Sequence, residues 1–535
     1  MASVQSDLMA EEQSDTAALG EEIRKLFARQ EVVELVRETL RGEGRASVEG
    51  LWGSSAPALA AGFLEDCPST LLYVLPHVDS VDDACDEWRL FAGVEPVVFP
   101  AWEALPTESD VSDEILADRL RVLKTLAGGS EKGAVPFSVR GTDPFLPPAV
   151  EQHGHAKSVA VPPGRPVEQH AHANGGVGMP PGDLAHTELL PRVLVTTIQA
   201  LMQPVPSLRH LAENTLELAV GREYSLPRLR AWLAERGFKP AELVLEPGQY
   251  AARGGIIDVF APTAPAPYRL EFFGDTLESL RTFDPATQRS LDDRERAAIS
   301  FLPVGKGGPT SPQTTANLLD YLPAGAWVVW RDPLEIAEVG RSFVAHLASP
   351  VGVYAFEAVV RRARDFTRLD LSSFTTTGAS DSFLLRTEAP PALSGKAEAV
   401  REDLAEAARE DTLLIFSDND AERERLAEIL DTGDVQVRLR IRLGVGRLGT
   451  GFRLVAEKVV VLANHEVFHR YHDRRRLRSR IETRALDTWL DLKRGDYVVH
   501  VAHGIGRYLG MKTLHRGPKK TITEAGDLEI PVPPE

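Results

Sequence analysis

Cysteine is nearly absent: Cys67 and Cys85 are the only two in 535 residues. Neither stands in a CxxC or Cys/His spacing, which excludes a disulfide framework and a zinc site and makes a reducing cytoplasm the expected location. No run of about 18 apolar residues occurs, so no membrane-spanning helix and no membrane partner is expected. The opening MASVQSDLMAEEQSD is acidic and polar where a secretory signal needs a basic start and an apolar core. Positive charge is also short, with 60 Lys and Arg against 78 Asp and Glu and a net charge of −18. That balance rules out a surface that binds nucleic acid throughout and leaves room only for local basic patches. What the chain does have is length and apolar content: 43% of its residues are hydrophobic. Three to five domains of about 100–200 residues are therefore expected.

Residues 1–20 are polar. From Glu21 to Leu40, apolar residues recur at mostly helical spacing (Ile23, Phe27, Val33, Val36, Leu40), so 1–45 reads as a tail and one amphipathic helix. Residues 46–206 alternate helices (Pro57–Glu65, Ser80–Phe91, Ser112–Leu126) with strands (Thr70–Leu75, Pro96–Phe99 and the β-branched Arg192–Ile198). Such alternation implies a largely parallel sheet covered by helices. Within it, 128–187 is rich in Gly, Pro and Ala and reads as a disordered insertion. Its histidines, His153, His155, His170, His172 and His186, lack supporting carboxylate or cysteine ligands, so no metal site is assigned.

Residues 207–300 read as a hairpin-rich α+β unit, with a strand over Leu216–Ser225 and a helix over Leu226–Gly237. One more α/β segment spans 301–345, and a further α/β unit spans 346–469, with Thr412–Leu430 its clearest strand–helix pair. Arg470–Arg484 holds seven arginines in fifteen residues. It either touches phosphates by charge alone or forms a solvated linker over 470–488; with no interleaved aromatics to stack on bases, the linker is favoured. A β-rich segment over 489–535 closes the sequence.

The stretch VEGLWGSSAPALAAGFL, Val48–Leu64, is laid out like a phosphate-binding loop without its chemistry. A working loop, GxxxxGK[ST], uses backbone amides to cradle phosphate, a lysine to reach it and a hydroxyl to hold magnesium. Counted from Gly50, Ser55 takes the second glycine, Ala56 the lysine and Pro57 the hydroxyl. Two readings stand, a chance glycine turn or a decayed ATPase loop. An ATPase also needs an acidic pair at the end of a buried strand. Here the strand Ala326–Trp330 runs into Arg331 and Asp332, with arginine in the first acidic position.

The residues that bear on this choice lie further on. YAARGGIIDVFAPT (Tyr250–Thr263) and YRLEFFGDTLESLRTFDPATQRSL (Tyr268–Leu291) closely resemble the UvrB-homology module of bacterial transcription-repair coupling factors. FPAWEALPTE (Phe99–Glu108) and VLVTTIQALMQPVP (Val193–Pro206) resemble that family's first domain, and GVGRLGTGFRL (Gly444–Leu454) and LANHEVF (Leu462–Phe468) its third. LKRGDYVVHVAHGIGRYLGMKTL (Leu492–Leu514) is similar to the start of its RNA-polymerase-interacting domain.

The resemblance implies a multidomain α/β fold. Its parts are a degenerate P-loop sheet domain like that of RecA and UvrB, to which 301–345 return, an inserted UvrA-binding domain over 207–300, a third α/β domain, and the start of a small Tudor/SH3-like barrel. Family members continue into two motor domains that use ATP and Mg2+ to translocate on double-stranded DNA. No GxxxxGK[ST] or DEx[HQ] motif occurs here, so this chain is expected to be a fragment or truncated product without the motor, needing no cofactor and performing no catalysis.

By the same resemblance, UvrA contacts fall on Arg253, Arg269, Glu271 and Phe272. Strand alternation puts Arg269 and Glu271 on one face and Phe272 on the other. RNA polymerase β-subunit contacts fall on Arg507, Tyr508 and Leu514, after a strand Tyr497–His500 and a tight loop Gly504–Gly506. His500 and His503 read as structural hydrogen-bonding groups. The implied function is an adaptor in transcription-coupled nucleotide excision repair; the rivals are an active UvrB-type ATPase and a non-functional gene fragment.

Overall fold

The computed structural model describes residues 18–102, 113–129, 190–300, 314–347, 352–375, 382–394, 399–431, 439–468, 497–500 and 504–507. The tail, most of 128–187, the arginine-rich passage, Tyr508, Leu514 and the chain end lie outside them. One compact unit spans Met1–Arg470 and a second Tyr471–Glu535.

In the first unit, a seven-stranded parallel sheet runs in the order Ser382–Leu384, Arg45–Glu49, Thr367–Ser372, Trp327–Arg331, Leu71–Leu75, Val193–Thr197, Val97–Phe99. Leu71–Leu75 and Val193–Thr197 are buried at every position, as apolar strands covered on both faces must be. The sheet therefore takes strands from well beyond residue 345. The strands Thr367–Ser372 and Ser382–Leu384, expected in the third unit, complete the first sheet, where Leu369 and Leu371 fill the row between the 45–49 and 327–331 strands.

The helix expected over Glu21–Leu40 is two, residues 18–28 and Glu31–Glu43, broken at Gln30, whose φ −78° and ψ 129° are extended. The break lets Ile23 and Phe27 on one helix and Val33, Val36 and Leu40 on the other enter the same core. Arg119, which the sequence reading did not single out, is fully buried between the rings of Phe99 and Trp102, 4.3 Å from each centroid. It donates to the Pro100 carbonyl at 2.8 Å, and burial pushes its pKa down to about 9.

The inserted unit is a six-stranded sheet ordered Ser290–Asp293, Thr276–Phe283, Tyr268–Phe273, Ile256–Val259, Gln249–Arg253, Lys239–Pro240. A separate ladder pairs Thr215–Ala219 with Arg296–Ser300, so the strand predicted over Leu216–Ser225 ends at Ala219. The third sheet is ordered Thr387–Glu388, Phe452–Leu454, Val459–Ala463, Thr412–Ser417, Ile441–Val445. One of its faces joins the first sheet's core, where the tilted rings of Phe27 and Phe452 meet at 6.1 Å and Leu414, Phe416 and Leu448 share the cluster of Leu51 and Ala56.

In the second unit, Tyr497–His500 pairs antiparallel with Gly504–Arg507. Gly504–Gly506 is thus strand rather than the expected loop.

Trp330, 1% exposed in the middle of the first sheet, has no acceptor for its indole N–H among the described residues. Trp330→Ala is expected to cost about 3–5 kcal/mol. Trp330→Phe should cost far less, because it removes a buried unpaired donor along with part of the packing. Equal losses in urea denaturation would contradict this account.

Candidate functional site

The loop between the Arg45–Glu49 strand and the Ser55–Gly62 helix turns on two glycines in left-handed conformation, Gly50 (φ 82°) and Gly53 (φ 54°). Three of its amides have protein acceptors. Leu51 N donates to Ser372 O at 3.1 Å, Trp52 N to Thr387 Oγ1 at 2.6 Å and Ser54 N to Thr450 O at 3.0 Å. Thr387 in turn donates through Oγ1 and N to Gly50 O, both at 3.0 Å. A Cβ on Gly53 would lie 2.8 Å from the carbonyl oxygens of Thr450 and Gly451. The third sheet's Gly449–Gly451 turn thus packs directly against the glycine loop.

The glycine loop and Arg331 meet. Arg331 Nη2 donates to Gly53 O at 3.3 Å, while Nη1 pairs with Asp332 Oδ2 at 2.6 Å and donates to Ser373 Oγ at 3.0 Å. A carboxylate at position 331 would face that carbonyl oxygen and repel it; arginine bonds it. Asp332 sits at φ 56°, and its Oδ1 accepts the Ser373 amide at 2.7 Å. Ala56 is fully buried and Pro57 lies in the buried first turn of the helix, while Ser55 Oγ stands 3.2 Å from Thr387 Oγ1.

Glu87, which sequence reasoning missed, seals this junction. Its Oε1 accepts the Ser54 hydroxyl and the Gly449 amide, the latter at 3.2 Å. Burial pushes its pKa up to about 7, partly offset by the Ser54 hydroxyl, the Gly449 amide and the Arg331 charge, with Asp86 adding to the rise. A lone glutamate in the helical run VDDACDEWRLFA carries no signal of such a role.

The UvrA candidates lie together in the inserted sheet. Register aligns Arg253, Ile256, Glu271 and Ser279 across four strands, and Ala251, Asp258, Arg269, Arg281 and Asp293 across the next row of five. Cross-strand partners share a face, so Arg253, Arg269 and Glu271 share the outer one. Arg269 and Glu271 do not pair with each other. Arg269 makes a two-pronged bond to Asp258 at 2.8 and 2.9 Å and lies over the Phe283 ring, whereas Glu271 accepts from Ser279 at 3.0 Å and from Arg281. Arg253 is exposed and reaches the Glu242 carbonyl.

Phe272 turns to the core face, pairing with the buried Leu277 beyond a register shift at Glu271 and Phe272. The exposed aromatic is its neighbour Phe273, at 77%, with Ile256 at 40%. Period-2 alternation alone could have flagged Phe273, which shares the parity of Arg269 and Glu271.

In the second unit, Arg507 ends its strand opposite Tyr497. Among the described residues, no group of three or more His, Cys, Asp or Glu is placed to hold a metal, and no helix is long and apolar enough to cross a membrane.

A family profile described as the UvrB interaction domain matches residues 216–302, and one described as the CarD-like/TRCF RID domain matches 492–532. The chain is similar to the N-terminal portion of transcription-repair-coupling factors. That of Escherichia coli is 26% identical over 424 residues, 64% of this chain and 36% of that protein. That of Bacillus subtilis is 21% identical over 406 residues, covering 60% and 34% respectively. That of Haemophilus influenzae is 38% identical over 112 residues, 21% of this chain and 10% of that protein. The longer alignments span about a third of these transcription-repair-coupling factors.

Two outcomes follow from the glycine loop. A carboxyl whose folded pKa is raised from 4.5 to about 7 stabilises the protein when protonated, so stability falls as pH rises through that window and levels off above it. Glu87→Gln keeps an acceptor for Ser54 and Gly449 and should flatten this slope in thermal melts taken across the window; an unchanged slope would sink the assignment. Ala56→Lys with Pro57→Thr is expected to destabilise the fold by several kcal/mol, because it buries an unpaired charge, and to yield no phosphate release from ATP.

Proposed function

We propose that this chain serves transcription-coupled nucleotide excision repair as an adaptor, docking UvrA through the outer face of its inserted sheet and RNA polymerase through its C-terminal segment. The observation that carries this reading is the exposed Phe273 and Ile256 beside Arg253 and the ordered Arg269–Asp258 and Glu271–Arg281 pairs, on the stretch that matches the UvrB interaction domain. Apolar anchors ringed by fixed charges are what a specific interface uses: the apolar groups supply affinity and the charges supply register. Arg269, held at both ends, acts by setting the charge pattern, while Phe273 and Arg253 are placed to touch the partner.

The CarD-like/TRCF RID match at 492–532 supports a polymerase contact, and an edge strand such as Gly504–Arg507 suits β-augmentation of a partner sheet. The glycine loop takes no part in ATP chemistry in this reading. Its amides at Leu51, Trp52 and Ser54 already have acceptors, and Arg331 stands where an ATPase needs a carboxylate. ATP-driven translocation on double-stranded DNA is left to the motor domains of full-length family members.

Surface plasmon resonance against purified UvrA tests the docking face. Phe273→Ala and Arg253→Ala are each expected to weaken binding about tenfold or more without lowering the melting temperature. Failure of the intact chain to bind UvrA would overturn the adaptor reading.

A further inference from the structure

A cleft of about 530 Å3 opens where the helix Asp113–Gly129 meets the Thr215–Ala219 and Arg296–Ser300 ladder. The ladder buries Leu216, Leu218, Ala297 and Ile299 in the inserted unit's core, so strand alternation turns Glu217, Ala219, Arg296 and Ala298 outward. Ala219 stands opposite Arg296 and Ala298 opposite Glu217. Two methyl groups therefore form the middle of the cleft floor, where larger side chains would fill it.

Three cations line the cleft. Lys124 lies across it with its ammonium on the Ala298 carbonyl at 3.1 Å. Arg222 and Arg296 are exposed, and neither has an ion pair among the described residues. Glu217 is the single carboxylate of the lining among the described residues. The lining also holds Tyr268 and Thr263, the latter 7% exposed with a hydroxyl that has no partner among the described residues.

We propose that this cleft binds a small phosphorylated ligand of mononucleotide size. Its phosphate is held by Arg222, Arg296 and Lys124, and its ring rests on the alanine floor beside Tyr268. The volume falls within the range of about 300–1,000 Å3 usual for small-molecule sites. Arginine forks match phosphate oxygens in geometry as well as charge. Glu217 accepts from a hydroxyl or amino group of the ligand. An extended acidic peptide fits less well, because the exposed Glu223 and Glu295 directly adjoin the two arginines and would repel a longer anionic chain.

The lining shares no residue with the glycine loop or with Arg253, Arg269, Glu271 and Phe273, and the probe is chosen to keep the readouts apart. Isothermal titration of the full chain with AMP, without magnesium, is expected to give one-to-one binding. Arg222→Ala with Arg296→Ala should weaken it about tenfold or more, the equivalent of about 1.4 kcal/mol. Ala219→Leu, which fills the floor and leaves the charges intact, should weaken it comparably, and Arg331→Ala at the glycine loop should not change it. Melting curves of each variant report folding. Absence of binding at millimolar AMP would overturn the proposal, as would adenosine binding as well as AMP. Pyrophosphate binding as tightly as AMP and untouched by Ala219→Leu would reduce the cleft to an anion patch and equally overturn it.

Discussion

The backbone of Gly50–Ser54 is held from three sides, and much of the first unit depends on that grip. Ser372 bonds it from a strand that flanks Arg45–Glu49, Thr387 and Thr450 enter from the third sheet, and Arg331 arrives from two strands away. A phosphate-binding loop leaves such amides open for a ligand that arrives and departs. Here they are closed by the chain itself, and buried amides with permanent acceptors contribute to stability where transient ones would contribute to turnover. The two left-handed glycines are still required, because the tight turn is needed whichever group meets the amides.

The same grip explains why the third sheet is no independent bead. Phe452, Leu448, Phe416 and Leu414 extend the core that begins with Ile23 and Phe27, and Glu87 bridges Ser54 to Gly449 across the seam. The inserted unit, by contrast, turns its ordered charge rows outward. An outer face whose arginines already hold carboxylates presents a fixed pattern to a partner, which limits the ordering cost of binding. The Thr215–Ala219 and Arg296–Ser300 ladder leaves a basic cleft floored by alanines, so the surface of an acidic protein still offers a locally cationic concavity among the described residues.

Much of the architecture was legible in the residues. RVLVTTI and TLLIFS declare buried strands through β-branched and apolar runs, and the RGG and EFFGD stretch marks the inserted unit by resemblance. The pairing of the glycine loop with Arg331 was suggested by motif spacing, and the contact at Gly53 places the two together. Less legible was the reach of the first sheet. Strands at 367–372 and 382–384 carry no mark that assigns them to one sheet rather than the next, since that depends on which open row of hydrogen bonds lies nearest in space. The helix break at Gln30 has no glycine or proline to announce it, because it is imposed by two core contacts at different angles.

By itself the sequence determined most element types, the absence of a lysine, a hydroxyl and a carboxylate at Ala56, Pro57 and Arg331, and the parity that sets Arg269 and Glu271 on one face. These are local properties, fixed by side-chain chemistry and by the twofold repeat of a strand. Only the tertiary structure decided that Gly449–Gly451 packs on the glycine loop, that Arg269 answers Asp258 rather than Glu271, that Phe273 is far more exposed than Phe272, and that Glu87 is buried at the seam. Each of those depends on which distant segment arrives beside a residue, and in a folded chain that is set by packing and register across the whole unit.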